Sequence, residues 1–527
     1  MTDALTGFWI LVRHAVRLDR IRLIAWIVGI AFIPVVTYAS YDSLYPTLGD
    51  RITLGATLES NPAFALLLGP ASNLGEAGGY TAWRTVVIAA AFLAVMSILT
   101  VVRHTRTDEE SGRTELLAAG CVGRFAFLAA GIGTAAFVCL LTGLAIVIGL
   151  VASGAAPTGA IAYAAAVAAG GLVFAGVAAI AVQIGSFGRT AISLSVGALA
   201  IAYLLRAWGD ASSYHWLTWL SPLGWTEKIH AFSSNAWWTL VVSLLATIAL
   251  VGIAVVLVAR RDFGRGLLAA HHGPADAPAS LSGTFGLSWR LHRGRLAGWM
   301  LGLAAYGAIA GSVANSVGSV IAHSGLGQRF LGSGHNFVEL YIAELINVMG
   351  IVAAVYGIQA VLCARSEETD GRVEELLSTP LTRGRWFASH LVFALAGSAL
   401  VVIVGGLSTG IAAQATGAST TTSAVMAASL VQIPAIWLIV GATAALIGVV
   451  PRASQLGWPI IAATFVISFF GPLLKLPHIV LDASAFTHVP HLPGGSVDAV
   501  PLIAMSAIAV ALLGVGMIGM RRRSILS

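Results

Sequence analysis

Lysine is nearly missing from this 527-residue chain: Lys228 and Lys475 are the only two, so 27 of its 29 basic side chains (29 minus 2) are arginines. A P-loop needs Gly-Lys-Ser/Thr, because its amides and its lysine cradle the phosphates. Here Ile229 and Leu476 follow the two lysines, which excludes nucleotide hydrolysis by that route. Cysteine is scarce too. Cys121, Cys139 and Cys363 lie in apolar runs or beside charged loops, which excludes a disulfide framework. Charged residues make up only 10% of the chain, against about 25% in a soluble domain. The net charge of +6 is spread in small groups between apolar runs, so it forms no footprint for nucleic acid. A cleavable signal is also absent from the first apolar run, which has no small-residue cleavage pattern.

What fills the chain is apolar. Hydrophobic residues reach 57% and glycine numbers 59, and the mean hydropathy is +0.88. Soluble domains hold about 45–50% apolar residues even with glycine counted. The composition predicts an all-α polytopic membrane protein. A hydrocarbon core of ~30 Å needs about 20 residues of helix, and twelve runs of that kind fit.

In chain order, residues 5–22 mix Phe8, Trp9, Ile10, Leu11 and Val12 with Arg13, His14, Arg17, Arg20 and Arg22. That mixture predicts a helix in the headgroup layer before the chain turns into the membrane. Spans follow near 23–40, 84–102, 125–151, 160–184 and 190–207, and a sixth ends at Arg260 and Arg261. The stretch 41–80 is too polar to span and is read as external. Residues 208–238 hold six of the 14 tryptophans, so 208–236 reads as an outer hairpin, interfacial or re-entrant. A linker, 262–284, separates a first half (1–261) from a second (285–527). There, spans fall near 297–320, 340–363, 387–411, 424–449, 455–471 and 500–520, with an outer segment at 475–499.

The halves repeat. A shift of 259 residues lays Arg106, Glu109, Gly112, Arg113, Glu115 and Arg124 on Arg365, Glu368, Gly371, Arg372, Glu374 and Arg383 without a gap. Val16–Gly29 matches Trp289–Gly302 at a shift of 273, and the turn Gly185–Arg189 matches Gly448–Arg452 at 263. Three matches in one order predict a parallel duplication. The segments 104–124 and 364–386 are charged islands: 103–124 and 364–386 carry nine of the 23 acidic residues. With the N-terminus inside, 23 of the 29 Lys and Arg are inner, the exceptions being Arg51, Arg84, Arg206, Lys228, Arg329 and Lys475. The positive-inside rule then puts both termini and both islands in the cytoplasm of a cell whose inner membrane the chain spans. A charged loop can simply solvate and orient. Orientation alone needs arginine, however, and not a repeated alternation of acid and base around an identically spaced Gly-Arg, so the islands are read as partner surfaces.

This order of elements, with RxxEExGRxELL at Arg106–Leu117, Arg-Arg-Asp after span six (Arg260–Gly266) and a second island at Arg365–Leu377, resembles the ABC-2 type permeases. Within them it resembles the fused twelve-span permeases of actinobacterial antibiotic and multidrug exporters, the tetronasin type. The second copy departs from the pattern with Thr369 where the first has Glu110. The resemblance implies two tandem six-helix bundles of the type V exporter kind and no cofactor in this chain. It also implies two copies of a cytoplasmic ABC ATPase subunit that bind ATP and Mg. The islands become coupling helices seated on those ATPases, with Arg189 and Arg452 in secondary coupling turns. The cargo would be hydrophobic or amphiphilic, following a path that Phe92, Met96, Phe465 and Phe469 would line.

A proton-driven transporter of the major facilitator type is the alternative. It would want Asp-x-x-Gly-Arg, whereas this chain has Glu109 and Glu368 at the acid position, and the spans hold almost no central acids. A membrane enzyme such as a lipid-linked transferase would need clustered acids or a metal site. His478, His488 and His491, with His215 and His230 in the first half, read as interfacial polar tips, so no metal site is expected. Arg84 and Glu344, the charges nearest the bilayer, are read either as an outer latch between the halves or as two side chains snorkelling separately to water.

Overall fold

The computed structural model describes residues 2–59, 65, 68–71, 73–118, 120, 122–212, 214–261, 266–267, 278, 281, 283–315, 337–470 and 477–523. Cys121, Arg329, Lys475, most of 262–284 and the side chain of Phe469 fall outside them. The chain divides into two compact units, Met1–Gly273 and Pro274–Ser527. Among the described residues, ten helices are long and apolar enough to cross a membrane.

The first unit opens with α1 (Phe8–Leu44), a single helix of 37 residues. The headgroup segment 5–22 is therefore not a separate element: from Phe8 it runs straight into the first span. No glycine or proline interrupts residues 8–28, so nothing breaks the helix there. At 1.5 Å per residue α1 is roughly 55 Å long, well beyond a ~30 Å core. Within the stretch expected to be external lies α2 (Leu48–Glu59). Next, α3 (Ala77–Val102) continues through a π-helical turn, Arg103–Thr107, as far as Glu110. The island ends in α4 (Arg113–Ala118).

Then come α5 (Ala126–Ala152), α6 (Pro157–Ile184) and α7 (Gly188–Ala211). Pro157 starts α6 at a position whose N–H needs no partner. In the tryptophan-rich stretch lie two short helices, α8 (Trp216–Trp219) and α9 (Pro222–Glu227). The Ser221 side chain caps α9 by accepting from the amides of Leu223 and Gly224. Trp219 stacks on Trp238, ring centroids 5.2 Å apart, at the head of α10 (Trp238–Arg260).

Helices α3 and α6 form the centre of this unit and pack on each other. Gly171 permits their contact: a Cβ there would come within 2.8 Å of Leu93 and Cys139. With no hydrophobic force between helices in lipid, such close backbone approach supplies the packing. Helix α10 lies against α6 with most of its surface outward.

The second unit contains α11 (Thr284–Ser312), α12 (Phe337–Thr369), α13 (Arg372–Leu377) and α14 (Arg383–Ala415). It continues with α15 (Thr422–Leu430), α16 (Ile433–Val449), α17 (Gly457–Phe470), α18 (His478–Leu481) and α19 (Ala499–Arg522). Helix α12 is its buried centre. Helix α11 packs on α14, and α16 on α19. At the second contact a Cβ on Gly448 would run into the Gly516 carbonyl. Arg290, Arg293 and Arg295 occupy the first half of α11, and the described part of α17 has 14 residues. These two helices, where spans seven and eleven are expected, are not among the ten.

Candidate functional site

Each island is a helix, a glycine, and a second short helix, and the glycine decides the shape. Gly112 has φ +72° and Gly371 φ +74°, the left-handed region that other residues enter only at a cost. Gly112 donates its N–H to the Glu109 carbonyl at 3.2 Å, and Gly371 donates to the Glu368 carbonyl at 3.2 Å. Among the described residues, nothing beyond the adjacent chain lies within 4 Å of where a Cβ would sit on either glycine, so backbone conformation, not space, calls for glycine here. The turn leaves Glu109 in the first island, and Glu367 and Glu368 in the second, on the inner face, while the charged side chains of α4 and α13 face outward.

The inward face is an ion-paired triad. Arg106 is 1% exposed; its Nε and Nη2 donate to the Ser186 carbonyl at 2.9 and 2.7 Å, and its Nη1 donates to Glu109 at 2.8 Å. The same Glu109 carboxylate accepts from Arg261 Nη2 at 3.1 and 3.2 Å. In the second unit, Glu368 pairs with Arg365 at 3.0 Å and accepts from Arg523 Nη2 at 2.7 Å. Arg–Glu–Arg thus recurs, with the third member supplied by the end of the unit's last long helix. The wide turn at Arg103–Thr107 buries Arg106 against Ser186, whereas residues 362–366 of α12 are ordinary α-helix.

Glu109 and Glu368 therefore point into their own units and do not contribute to the mixed-charge surface expected of them. Their partners, Arg261 and Arg523, lie 152 and 155 residues away in sequence. Arg124 is exposed and donates from Nη2 to the carbonyls of Val258 and Ala259 at 3.1 and 3.0 Å, where the C-terminal end of α10 favours a cation. Arg383 donates to the Arg523 carbonyl.

What faces outward is Glu110, Arg113, Glu115 and Leu117, with Leu116 81% exposed, and in the second unit Arg372, Glu374 and Glu375. Arg113 makes a long contact, 3.5 Å, to Asp108, while Arg372 pairs with Glu367 and Asp370. Arg189 and Arg452 are exposed at their turns. The Glu110 carboxylate accepts from the Gly188 amide at 2.7 Å, tying the first island to the turn that carries Arg189.

Phe92 is exposed while Met96, one turn on, is wholly buried in the core of the first unit. Phe465 is partly exposed. Arg84 donates to the Tyr80 hydroxyl, with its guanidinium 5.7 Å from the Tyr80 ring centroid, and Glu344 is exposed on α12. His478, His488 and His491 are exposed, and the His488 Nδ1 lies 3.0 Å from the Ser484 carbonyl.

Some of the arginines outside the inner-loop count have local counter-charges. Arg51 bonds Asp42 at 2.9 Å. Arg206, fully buried, lies 3.6 Å from both Asp210 and Glu227. Burial first, and then the Asp210 carboxylate, raise the Glu227 pKa to about 8, against the pull of Arg206 and Lys228.

The family described as "Multidrug efflux system permease Rv1217c, C-terminal domain" matches residues 12–259 and 281–521. The multidrug efflux system permease protein Rv1217c of Mycobacterium tuberculosis (strain ATCC 25618 / H37Rv) is 36% identical over 530 residues, covering 99% of this chain and 95% of that protein. The chain is a membrane protein, and it belongs to the Rv1217c family of multidrug efflux permeases.

Proposed function

We propose that this chain is the membrane subunit of an ATP-driven exporter of hydrophobic or amphiphilic compounds, with ATP hydrolysed by a separate ABC-type subunit bound in two copies. On this reading the chain is an ABC-2 type permease of two tandem six-span halves in the inner membrane, with both termini in the cytoplasm. One observation supports the reading: each island holds an inward ion-paired triad beside a short helix with outward charges, and in the first that helix offers Arg113, Glu115 and Leu116, the last 81% exposed. A lever needs both parts, a surface a partner can grip and an anchor that passes the push to the long helices. Motion of the ATPases would reach α3 and α12 through these anchors as rigid-body displacement, alternating access to the cargo. The secondary turns at Arg189 and Arg452 extend the gripped surface. The apolar spans suit uncharged or amphiphilic cargo, since an ionic substrate calls for a fixed counter-charge.

The test is capture of the ATPase by the full chain, comparing wild type with Glu115→Lys/Leu116→Asp. The expected result is intact, monodisperse variant with ATPase capture reduced at least tenfold. Equal capture by both would remove the islands as coupling surfaces. Efflux that persists without any ATPase and collapses with the proton gradient would favour a secondary transporter instead.

A further inference from the structure

The second unit brings together three side chains that the islands do not use. His292 on α11, Cys363 on α12 and His390 on α14 each offer one donor atom within 4.8 Å of the others. A point therefore exists within about 2.8 Å (4.8/√3) of all three, and modest side-chain rotation closes that to the ~2.0–2.3 Å of zinc–nitrogen and zinc–sulfur bonds. The two imidazoles are buried and Cys363 is partly exposed. His292 Nε2 and His390 Nδ1 lie 3.1 Å apart. The other nitrogen, His292 Nδ1, is buried and has no hydrogen-bond partner among the described residues.

The internal repeat sharpens the point. The shift of 273 lays His292 on Asp19, and the shift of 259 lays Cys363 and His390 on His104 and Gly131. In the first unit, Asp19 lies 3.0 Å from His104 and 2.9 Å from Arg103, an internal ion pair. In the second the acid is gone and two imidazoles and a thiol stand in its place. The surroundings are apolar: His390 meets the Trp386 ring at 5.4 Å, and His292 the Phe393 ring at 5.7 Å. The nearby cation, Arg295, is engaged with the Gln359 carbonyl at 3.3 Å.

We propose that His292, Cys363 and His390 bind a late first-row transition-metal ion, Zn²⁺ in the first instance. Imidazole and thiolate are the donors such ions favour, and three protein ligands leave one position open to water. On binding, Cys363 loses its thiol proton to solvent as the metal–sulfur bond forms, and one metal–nitrogen bond forms to each neutral histidine in place of their mutual contact. The ion fastens α11, α12 and α14 near the end that carries the charged island. This proposal is independent of the exporter reading.

The experiment uses the full chain without a histidine tag, purified in detergent, stripped with a chelator, and titrated with Zn²⁺ and separately with Co²⁺. Wild type takes up one equivalent and, with Co²⁺, shows a thiolate-to-metal charge-transfer band. Cys363→Ser loses the band and binds Zn²⁺ at least tenfold more weakly, as does His390→Gln, while Cys121→Ser/Cys139→Ser keeps both properties. Wild type that takes up less than one equivalent, or a band of full strength in Cys363→Ser, overturns the proposal, and the wild-type titration decides even if a variant does not fold.

Discussion

Replacing Glu109 with alanine separates an inward triad from an outward docking residue. The Glu109 side chain is 8% exposed, between Arg106 at 1% and Arg261 at 12%. Removing it leaves two guanidiniums that have lost their shared counter-charge in a site shielded from water. Breaking a buried pair in this way costs about 3–5 kcal/mol. At roughly 2–4 °C per kcal/mol for a unit of this size, the unfolding midpoint drops by about 6–20 °C. The assay is thermal unfolding of the purified chain in detergent. The double variant Glu109→Ala/Arg261→Ala loses less than the sum of its parts, by about 0.5–3 kcal/mol, because one stranded charge goes with the carboxylate. Exposed Glu115→Ala stays within about 0.5 kcal/mol of wild type. A Glu109→Ala chain as stable as wild type that has nonetheless lost ATPase capture would refute the inward assignment.

Three further outcomes are expected. Gly112→Ala and Gly371→Ala each cost about 1–2 kcal/mol through the left-handed backbone alone, read as a lower midpoint in thermal unfolding, with no added loss for a larger residue because the space there is open. The Glu227 pKa, raised from the ordinary 4.5 to about 8, means the fold holds a proton that the unfolded chain releases. Its contribution to stability is full below about 4.5 and is lost as pH rises through about 8, on the order of a few kcal/mol. The wild-type midpoint thus falls between pH 6 and pH 9 while Glu227→Gln flattens the profile, and identical profiles would sink the assignment. Gly448→Ala forces α16 from α19 and costs about 1–3 kcal/mol, measured as reduced yield of monodisperse protein and a lower midpoint.

Local features were legible in the sequence and distant pairings were not. The repeated Gly-Arg spacing marks both islands, and a repeated glycine is the natural sign of a left-handed turn, which Gly112 and Gly371 both make. Which face of each island turns inward depends on Arg261 and Arg523, and nothing local to Glu109 or Glu368 announces them. The histidine and cysteine cluster escaped notice for the same reason: 292, 363 and 390 have no ligand spacing, and only the packing of three helices brings them together. Arg206 meets Asp210 one helical turn on, a spacing visible in the sequence, but Glu227 reaches it only through the fold of the hairpin. The unbroken α1 was missed because amphipathic composition says where side chains prefer to lie, and not whether the backbone must bend.

The clasp made by Arg261 and Arg523 also sets an order in time. Glu109 leaves the ribosome 152 residues before Arg261 does, roughly 8–30 s at about 5–20 residues per second. During that interval the first island has its glycine turn but only one of its two arginines, and the final helix of the half supplies the other. The second island waits through 155 residues, almost to the end of the described chain. Each island therefore gains its second arginine only once the last long helix of its own unit has been made.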